Sequence, residues 1–202
     1  MRQSLNPWIT SPATETAEEE TPDAYSPPAA VISAPLKGMV EPDAADRLAC
    51  RTMTGSAALW IIGAHGGAGE SRIADLLGAR ATDHCWPVLQ GESKPRVLLV
   101  CRADMRGLTA ARSTLTQWVS GATPKVDLMG LAIMADAPGK SPKALRDFAA
   151  IVGGGAPRLW TLPWVEAWRI GDTTTTASRE FQRFITDIAT LATDTTTSNT
   201  AH

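Results

Sequence analysis

The chain holds one tyrosine, three phenylalanines, three histidines and three cysteines in 202 residues, and it has no long apolar run. Each scarcity excludes something. The longest apolar run, residues 57–62, falls far short of the roughly 20 residues a membrane-spanning helix needs. The opening MRQSLNPWIT has no apolar stretch of the kind a secretory signal carries, so the sequence predicts a cytoplasmic protein with no transmembrane segment. Cys50, Cys85 and Cys101 have neither metal nor redox spacing and read as free thiols of a reducing compartment. His84 adjoins Cys85, but no second pair completes a metal site. The sole tyrosine, Tyr25, lies in the N-terminal stretch, so the body of the chain has no phenol for acid–base chemistry. Charge of one sign is also scarce, with a formal net charge of −2. A nucleic-acid surface needs a clustered positive excess, so the composition speaks against direct DNA binding. There is no internal repeat.

What is present divides into an arm, a body and a tail. Residues 1–55 read as a disordered acidic arm rich in proline and alanine. Seven prolines precede residue 43, and residues 1–50 carry eight acids against three bases. Too few apolar groups are available there to offset the entropy of ordering. The arm reads as a solubilising tail or as a partner-binding segment anchored by Trp8 and by residues 30–40. The body spans residues 56–192. Apolar runs at 57–62, 96–101, 126–134 and 158–162 predict buried strands. A further strand is expected at 84–89, where Pro87 suggests an edge or a late start. Helical periodicity follows at about 71–80, 107–120 and 178–192, and a Ser141-Pro142 start predicts a helix to about Val152 with the serine as cap. Residues 163–170 read as a turn and short helix, and 193–202 as a disordered polar tail. Strands and helices alternating about five times imply right-handed βαβ units and a mostly parallel sheet covered on both faces.

The body is arranged around residues 57–80, AALWIIGAHGGAGESRIADLLGAR. A buried strand, a glycine loop over residues 63–69 and a helix follow one another. Gly63, Gly66, Gly67 and Gly69 fall within seven residues. Glycine lets backbone amides approach a ligand closely, and a helix N-terminus presents free N–H groups to an anion. Ligands of such sheets bind at the carboxyl ends of the strands, where this loop lies.

Three phosphate-binding patterns compete for the loop. The pattern G-x-G-x-x-G has no match. The spacing G-x-x-x-G-x-G at Gly63, Gly67 and Gly69 resembles short-chain dehydrogenases, but the Tyr–Lys pair of those enzymes is missing. The third is the P-loop G-x-x-x-x-G-K-[ST], against which the segment is AHGGAGES. This segment also resembles the deviant loop of the ParA/MinD family of ATPases, with Gly66, Gly67, Gly69 and Ser71 matching. On that alignment His65 stands at the signature lysine and Glu70 at the phosphate lysine, and Arg72 replaces a threonine. The resemblance runs on through VLLVCRADMRGLTAARSTLTQW, DLMGLAIMADAPG and PRLWTLPWVEAWRIGD. The AHGGAGES loop and the LPWVEAWR segment are also similar to those of actinobacterial proteins of no assigned activity.

The family resemblance implies a three-layer P-loop-like α/β domain of about five mostly parallel strands. It implies ATP and Mg²⁺ as cofactors, bound by His65, Gly66, Gly67, Ala68, Gly69, Glu70, Ser71 and Arg72, with Ser71 as a magnesium ligand. A homodimer and a place in a partitioning, conjugation or secretion assembly are further implications. The departures point away from hydrolysis. About fifteen residues separate Arg80 from Arg96, too few for the family's switch I and Walker B strand. Asp104 reads as a loop aspartate, with a metal carboxylate as the alternative. A carboxylate about 4 Å from a phosphate charge repels it by roughly 4 kcal/mol at an effective dielectric near 20. Glu70 is therefore expected to fill the phosphate seat itself, favoured there by the helix dipole, and Glu70→Lys to raise ATP affinity. The reading is a non-hydrolysing pseudo-ATPase, with an unusual active hydrolase or a pure interaction scaffold as alternatives.

Two outlying features complete the expectations. Asp136, Lys140 and Pro163 are expected on the ligand edge of the sheet, facing a base or a partner. The sequence APGKS at 137–141 lacks the first glycine of a second phosphate loop and reads better as a Ser-Pro helix start. Trp164 and Trp168 are spaced to share one helical face, either packed on the core or exposed with Arg158 and Arg169 as a protein-partner surface.

Overall fold

Parallel strands buried on both faces require near-continuous apolar sequence, whereas strands facing water on one side alternate. WIIG and RVLLVC are of the first kind, and a computed structural model places both at the centre of a sheet. The structure describes residues 32–36, 38–91, 94–172 and 178–198. Trp8, Tyr25 and the first 31 residues of the expected arm lie outside them, as do residues 199–202.

In chain order the elements are β1 (Ala49–Thr52), β2 (Trp60–Gly63), α1 (Glu70–Leu77), β3 (Arg80–Ala81) and β4 (Cys85–Val88). There follow β5 (Arg96–Arg102), α2 (Met105–Val119), β6 (Asp127–Met134), α3 (Lys143–Gly153), β7 (Leu159–Leu162), α4 (Glu166–Arg169) and α5 (Arg179–Ser198). The main sheet has the order β3-β2-β5-β6-β7, and every neighbouring pair is parallel. The chain is thus an α/β protein with a parallel sheet.

Direction of travel decides which face each helix covers. From β2 the chain steps to one side, through α1 to β3; from β5 it steps to the other, through α2 to β6. Right-handed crossovers in opposite directions put their helices on opposite faces. Accordingly Ile73 and Ala74 of α1 pack with Phe181, Phe184 and Ile188 of α5 against Ile61, Leu98 and Val100. Leu108, Ala111, Leu115 and Trp118 of α2 and Val152 of α3 pack against Trp60, Ile62, Val97 and Leu99. Successive strand residues serve opposite clusters, as the two-residue period of a strand demands.

Several expectations are corrected. The strand at 84–89 does not join the main sheet. β4 leaves it and pairs in parallel with β1, Pro87 opposite Arg51, as a separate two-stranded sheet. The fifth strand of the main sheet is β3, two residues long, which periodicity over so short a stretch cannot reveal. The arm expected to run to residue 55 is ordered well before that. A 3₁₀ turn at Ala44–Asp46 leads into β1, Leu36 N–H donates to Val119 O at 2.8 Å, and Ile32, Leu48 and Met53 rest on the core. Composition counts too few apolar groups for a free-standing unit, but a few suffice for a segment docking on a core already formed. At the other end α5 continues to Ser198, past the predicted limit at residue 192. α3 begins at Lys143 with no side-chain cap, so Ser141 does not act as the N-cap.

Gln117 fastens this added segment. Its Oε1 accepts from Leu48 N–H and from Trp86 Nε1–H, both at 3.0 Å, and its Nε2 donates to Leu48 O at 3.1 Å and Ala122 O at 3.3 Å. The side chain is buried, and a buried amide this fully used is costly to remove. No helix of the described residues is long and apolar enough to cross a membrane.

Gln117→Leu keeps the volume of the side chain but leaves the Leu48 and Trp86 N–H groups without an acceptor. Equilibrium denaturation should show a loss of about 3 kcal/mol, from ~1–3 kcal/mol per buried orphan. The cysteines give a second expectation. Cys85 and Cys101 are buried and Cys50 is exposed. Burial pushes the Cys101 thiol from 9.0 up to about 12, and burial likewise raises Cys85. At pH 8 a thiol reagent should label Cys50 alone in the folded chain and all three cysteines after denaturation. Because the folded-state value of Cys101 is raised, its contribution to stability is intact below pH 9 and is lost as the pH climbs toward 12; an alkaline unfolding series checks the sign.

Candidate functional site

The glycine loop, residues 64–69, leaves the end of β2 and enters α1. Its first link extends the sheet, with Ala64 N–H donating to Val100 O at 2.9 Å. Gly66 and Gly67 are exposed and Ala68 is buried beneath them. Gly69, the residue before α1, has φ +94°, and a methyl group there would run into Met134 Sδ. The positive φ is what favours glycine here, since the flexible end of the Met134 side chain could give way.

The loop sits where the sheet changes direction. The chain winds in opposite directions from β2 and from β5, and at such a reversal open α/β sheets form a crevice outside the carboxyl ends of the strands, where ligands bind. Two side chains bridge this crevice. The His65 Nε2 accepts from Arg102 N–H at 3.2 Å, while its Nδ1 lies 2.9 Å from Gly66 O. A backbone N–H can only donate, so Nε2 is the bare nitrogen and Nδ1 carries the proton that Gly66 O accepts. The ring packs against Gly107 of α2, where a Cβ would lie 2.9 Å from His65 Nε2. Arg102, the last residue of β5, donates from Nε to Gly67 O at 3.3 Å and from Nη1 to Ala135 O at 3.0 Å. It thereby ties the glycine loop to the loop after β6. Asp104 accepts from Gly107 N–H at 2.6 Å and caps α2.

Glu70 does not lie among the loop amides. Its carboxylate turns toward the opposite side, to the link between β3 and β4. Oε1 accepts from Thr82 N–H at 2.6 Å and from Thr82 Oγ1 at 3.2 Å; Oε2 accepts from His84 N–H at 3.3 Å. His84 Nδ1 stands 3.0 Å from the same Oε2 and 3.2 Å from Gly63 O. The expectation that this carboxylate fills the phosphate seat is therefore corrected: Glu70 is 5% exposed and committed to Thr82 and His84. The physical reason is local. Asp83 and His84 both have left-handed backbones, φ +56° and +54°, a conformation that costs a non-glycine residue and persists only when its surroundings hold it. The turn aims the His84 N–H at the Glu70 carboxylate, which also shares the Thr82 N–H with Ile61 O. Gly63 makes room, since a Cβ there would lie 2.6 Å from His84 Nδ1 and 2.9 Å from Glu70 Oε2.

The other predicted site residues scatter. Ser71 is exposed on the first turn of α1. Arg72 stacks on the Trp168 ring, 5.4 Å from its centroid, away from the glycine loop. Asp136, Lys140 and Pro163 follow the ends of β6 and β7, so they share the carboxyl edge of the sheet with the loop; Asp136 and Lys140 are exposed. The tryptophans part company. Trp168 lies in α4 and packs edge-on to Phe181 at 5.1 Å. Trp164 precedes that helix, which begins at Glu166, and donates Nε1–H to Glu166 Oε2 at 2.6 Å. They do not share a helical face, because the helix is too short to hold both. Among the described residues there is no group of three or more His, Cys, Asp or Glu side chains that could hold a metal ion. Sequence reasoning passed over Arg102. Its signal was a cation closing an otherwise apolar strand at the edge where the loop lies.

Replacing Glu70 tests this geometry. Glu70→Lys puts an ammonium against groups that donate to the carboxylate, and removing one partner of a buried charged network costs ~3–5 kcal/mol. A fall of that size in the free energy of unfolding is expected, with no gain of ATP affinity. Glu70→Gln retains one acceptor oxygen, so its loss should be smaller, about 1–3 kcal/mol.

No curated protein and no solved structure matches the chain. Residues 57–184 match the model of a family of unknown function, DUF6668. That span begins just before β2 and takes in the glycine loop, Arg102 and most of the main domain, ending within α5. The chain belongs to this family of unknown function, DUF6668.

Proposed function

We propose that this protein is a degenerate relative of the ParA/MinD-type P-loop proteins that binds the phosphates of a nucleotide without hydrolysing it. In this reading it acts in the cytoplasm as a regulator or partner of a larger assembly, of the partitioning, conjugation or secretion kind. One observation carries the reading: the exposed Gly66–Gly67 arch lies at the crevice where the sheet changes direction, with the start of α1 behind it. Backbone amides in a glycine loop that opens a helix form an anion cradle.

Three features support binding without turnover. The loop has no lysine, and phosphoryl transfer relies on cations and a metal to stabilise charge that develops in the transition state. The Asp104 carboxylate is engaged in capping α2. The inward bonds of Glu70 draw its charge toward Thr82 and His84, which leaves the mouth of the loop to a ligand. ATP and Mg²⁺ are the cofactors of this reading, with Ser71 as the residue the metal would meet.

Isothermal titration of the full chain with ATP and ADP, with and without Mg²⁺, tests it. Binding of both nucleotides, with phosphate release no faster than in buffer, is the expected result. Release at an ordinary P-loop rate would favour the active-hydrolase alternative, and the absence of any nucleotide heat would favour a pure interaction scaffold.

A further inference from the structure

We infer that Arg102 is the phosphate-binding cation of the glycine loop, replacing from a neighbouring strand the lysine that the loop itself lacks. The inference rests on the nucleotide-binding reading and names the residue on which it depends.

The argument begins with charge. Most arginines whose contacts are defined have an evident partner. Arg47 pairs with Glu41, Arg51 with Asp83 and Arg169 with Glu166. Arg72 and Arg80 stack on tryptophan rings. Arg102 differs. It is half-buried, its hydrogen bonds go to two backbone carbonyls, Gly67 O and Ala135 O, and among the described residues no carboxylate forms an ion pair with it. Carbonyl dipoles orient a guanidinium but do not neutralise it. A partly desolvated charge without a counter-ion is unfavourable, so the arrangement is poised for an anion.

Position then specifies the anion. Nε and Nη1 are used to hold the side chain across the crevice, which turns Nη2 toward the loop; a methyl group on Gly69 would lie 3.9 Å from it. The open end of the guanidinium thus borders the residue that leads into α1. The planar fork suits the paired oxygens of a phosphoryl group better than a single-point halide. The same group could arrive on a nucleotide or as inorganic pyrophosphate, and the chemistry of the contact is common to both. Arg72, the cation nearest in sequence to the loop, is held on Trp168 instead.

The full chain is titrated calorimetrically with ATP, adenosine and pyrophosphate, in the wild-type form and as Arg102→Gln, Arg102→Lys and Arg72→Gln. Because Arg102 also fastens two loops, thermal melts confirm folding. In the wild-type chain the Arg102 Nε–Hε NMR resonance is followed as pyrophosphate is added, a readout that needs no variant. Arg102→Gln should weaken ATP and pyrophosphate at least tenfold, Arg102→Lys should retain part of the affinity, and Arg72→Gln should change it less than twofold. The Arg102 resonance should shift on saturation. Binding of ATP but not of pyrophosphate or adenosine would identify a nucleotide as the source of the phosphate, provided that Arg102→Gln still weakens it at least tenfold. If the wild type binds ATP while its affinity and the Arg102 resonance are indifferent to residue 102 and to phosphate, the assignment of Arg102 is overturned and the nucleotide reading survives. If the wild type binds neither phosphate compound, both fall together.

Discussion

The Glu70 carboxylate is the interaction on which the shape of the site depends. It belongs to the first turn of α1, yet its hydrogen bonds go to Thr82 and His84, on the far side of β3. Those bonds hold two consecutive left-handed residues that would otherwise relax. The turn they form is what sends the chain out of the main sheet, so that β4 pairs with β1 rather than with β3. One buried anion therefore fixes both the start of the helix behind the glycine loop and the departure of the second sheet. It is also the reason that Gly63 is glycine, because a side chain there would occupy the space of the carboxylate and of His84.

The second sheet and the helical layer are joined by a different polar group. Gln117 reaches from α2 to Leu48 and Trp86, so the segment before β1 and the strand β4 are fastened to one side chain. Its four bonds and the four contacts of Glu70 are each complete, and a satisfied buried polar group specifies one arrangement because any other leaves orphans. Both networks act at the start of β4, Glu70 on Thr82 and His84 just before it and Gln117 on Trp86 within it and on Leu48 before its partner β1. Between them they explain how a four-residue strand with a proline in it keeps a defined place outside the main sheet.

At the carboxyl edge of the sheet the chemistry is assembled from elements far apart in the chain. His65 comes from the loop after β2, Arg102 from the end of β5 and Ala135 from the loop after β6. His65 accepts a hydrogen bond from the backbone of Arg102, and the Arg102 side chain returns one to Gly67. This reciprocal clamp spans the crevice and holds the arch of the loop in place. The charge it brings there is positive, whereas the nearest acidic side chain in the loop, Glu70, is turned away. Read along the chain, AHGGAGES suggests an acid at this edge; in the fold the side chain that reaches the arch is the cation Arg102.

The sequence by itself determined the parallel α/β architecture, the loop and its position. Strand runs such as RVLLVC, the alternation with amphipathic helices, and four closely spaced glycines are local patterns, and hydrophobic periodicity is read from neighbours in the chain. Tertiary structure alone decided where side chains point and which distant residues meet. Glu70 could be placed on a helix from sequence, but not aimed at Thr82 and His84, because a carboxylate goes to whichever unsatisfied donors folding brings near. The docking of residues 32–36 and 38–55, the two-residue β3 and the approach of Arg102 to Gly67 depend on contacts across 30 residues or more, or on strands too short to carry a period. Those features follow from the packing of the whole chain, and no window of sequence contains them.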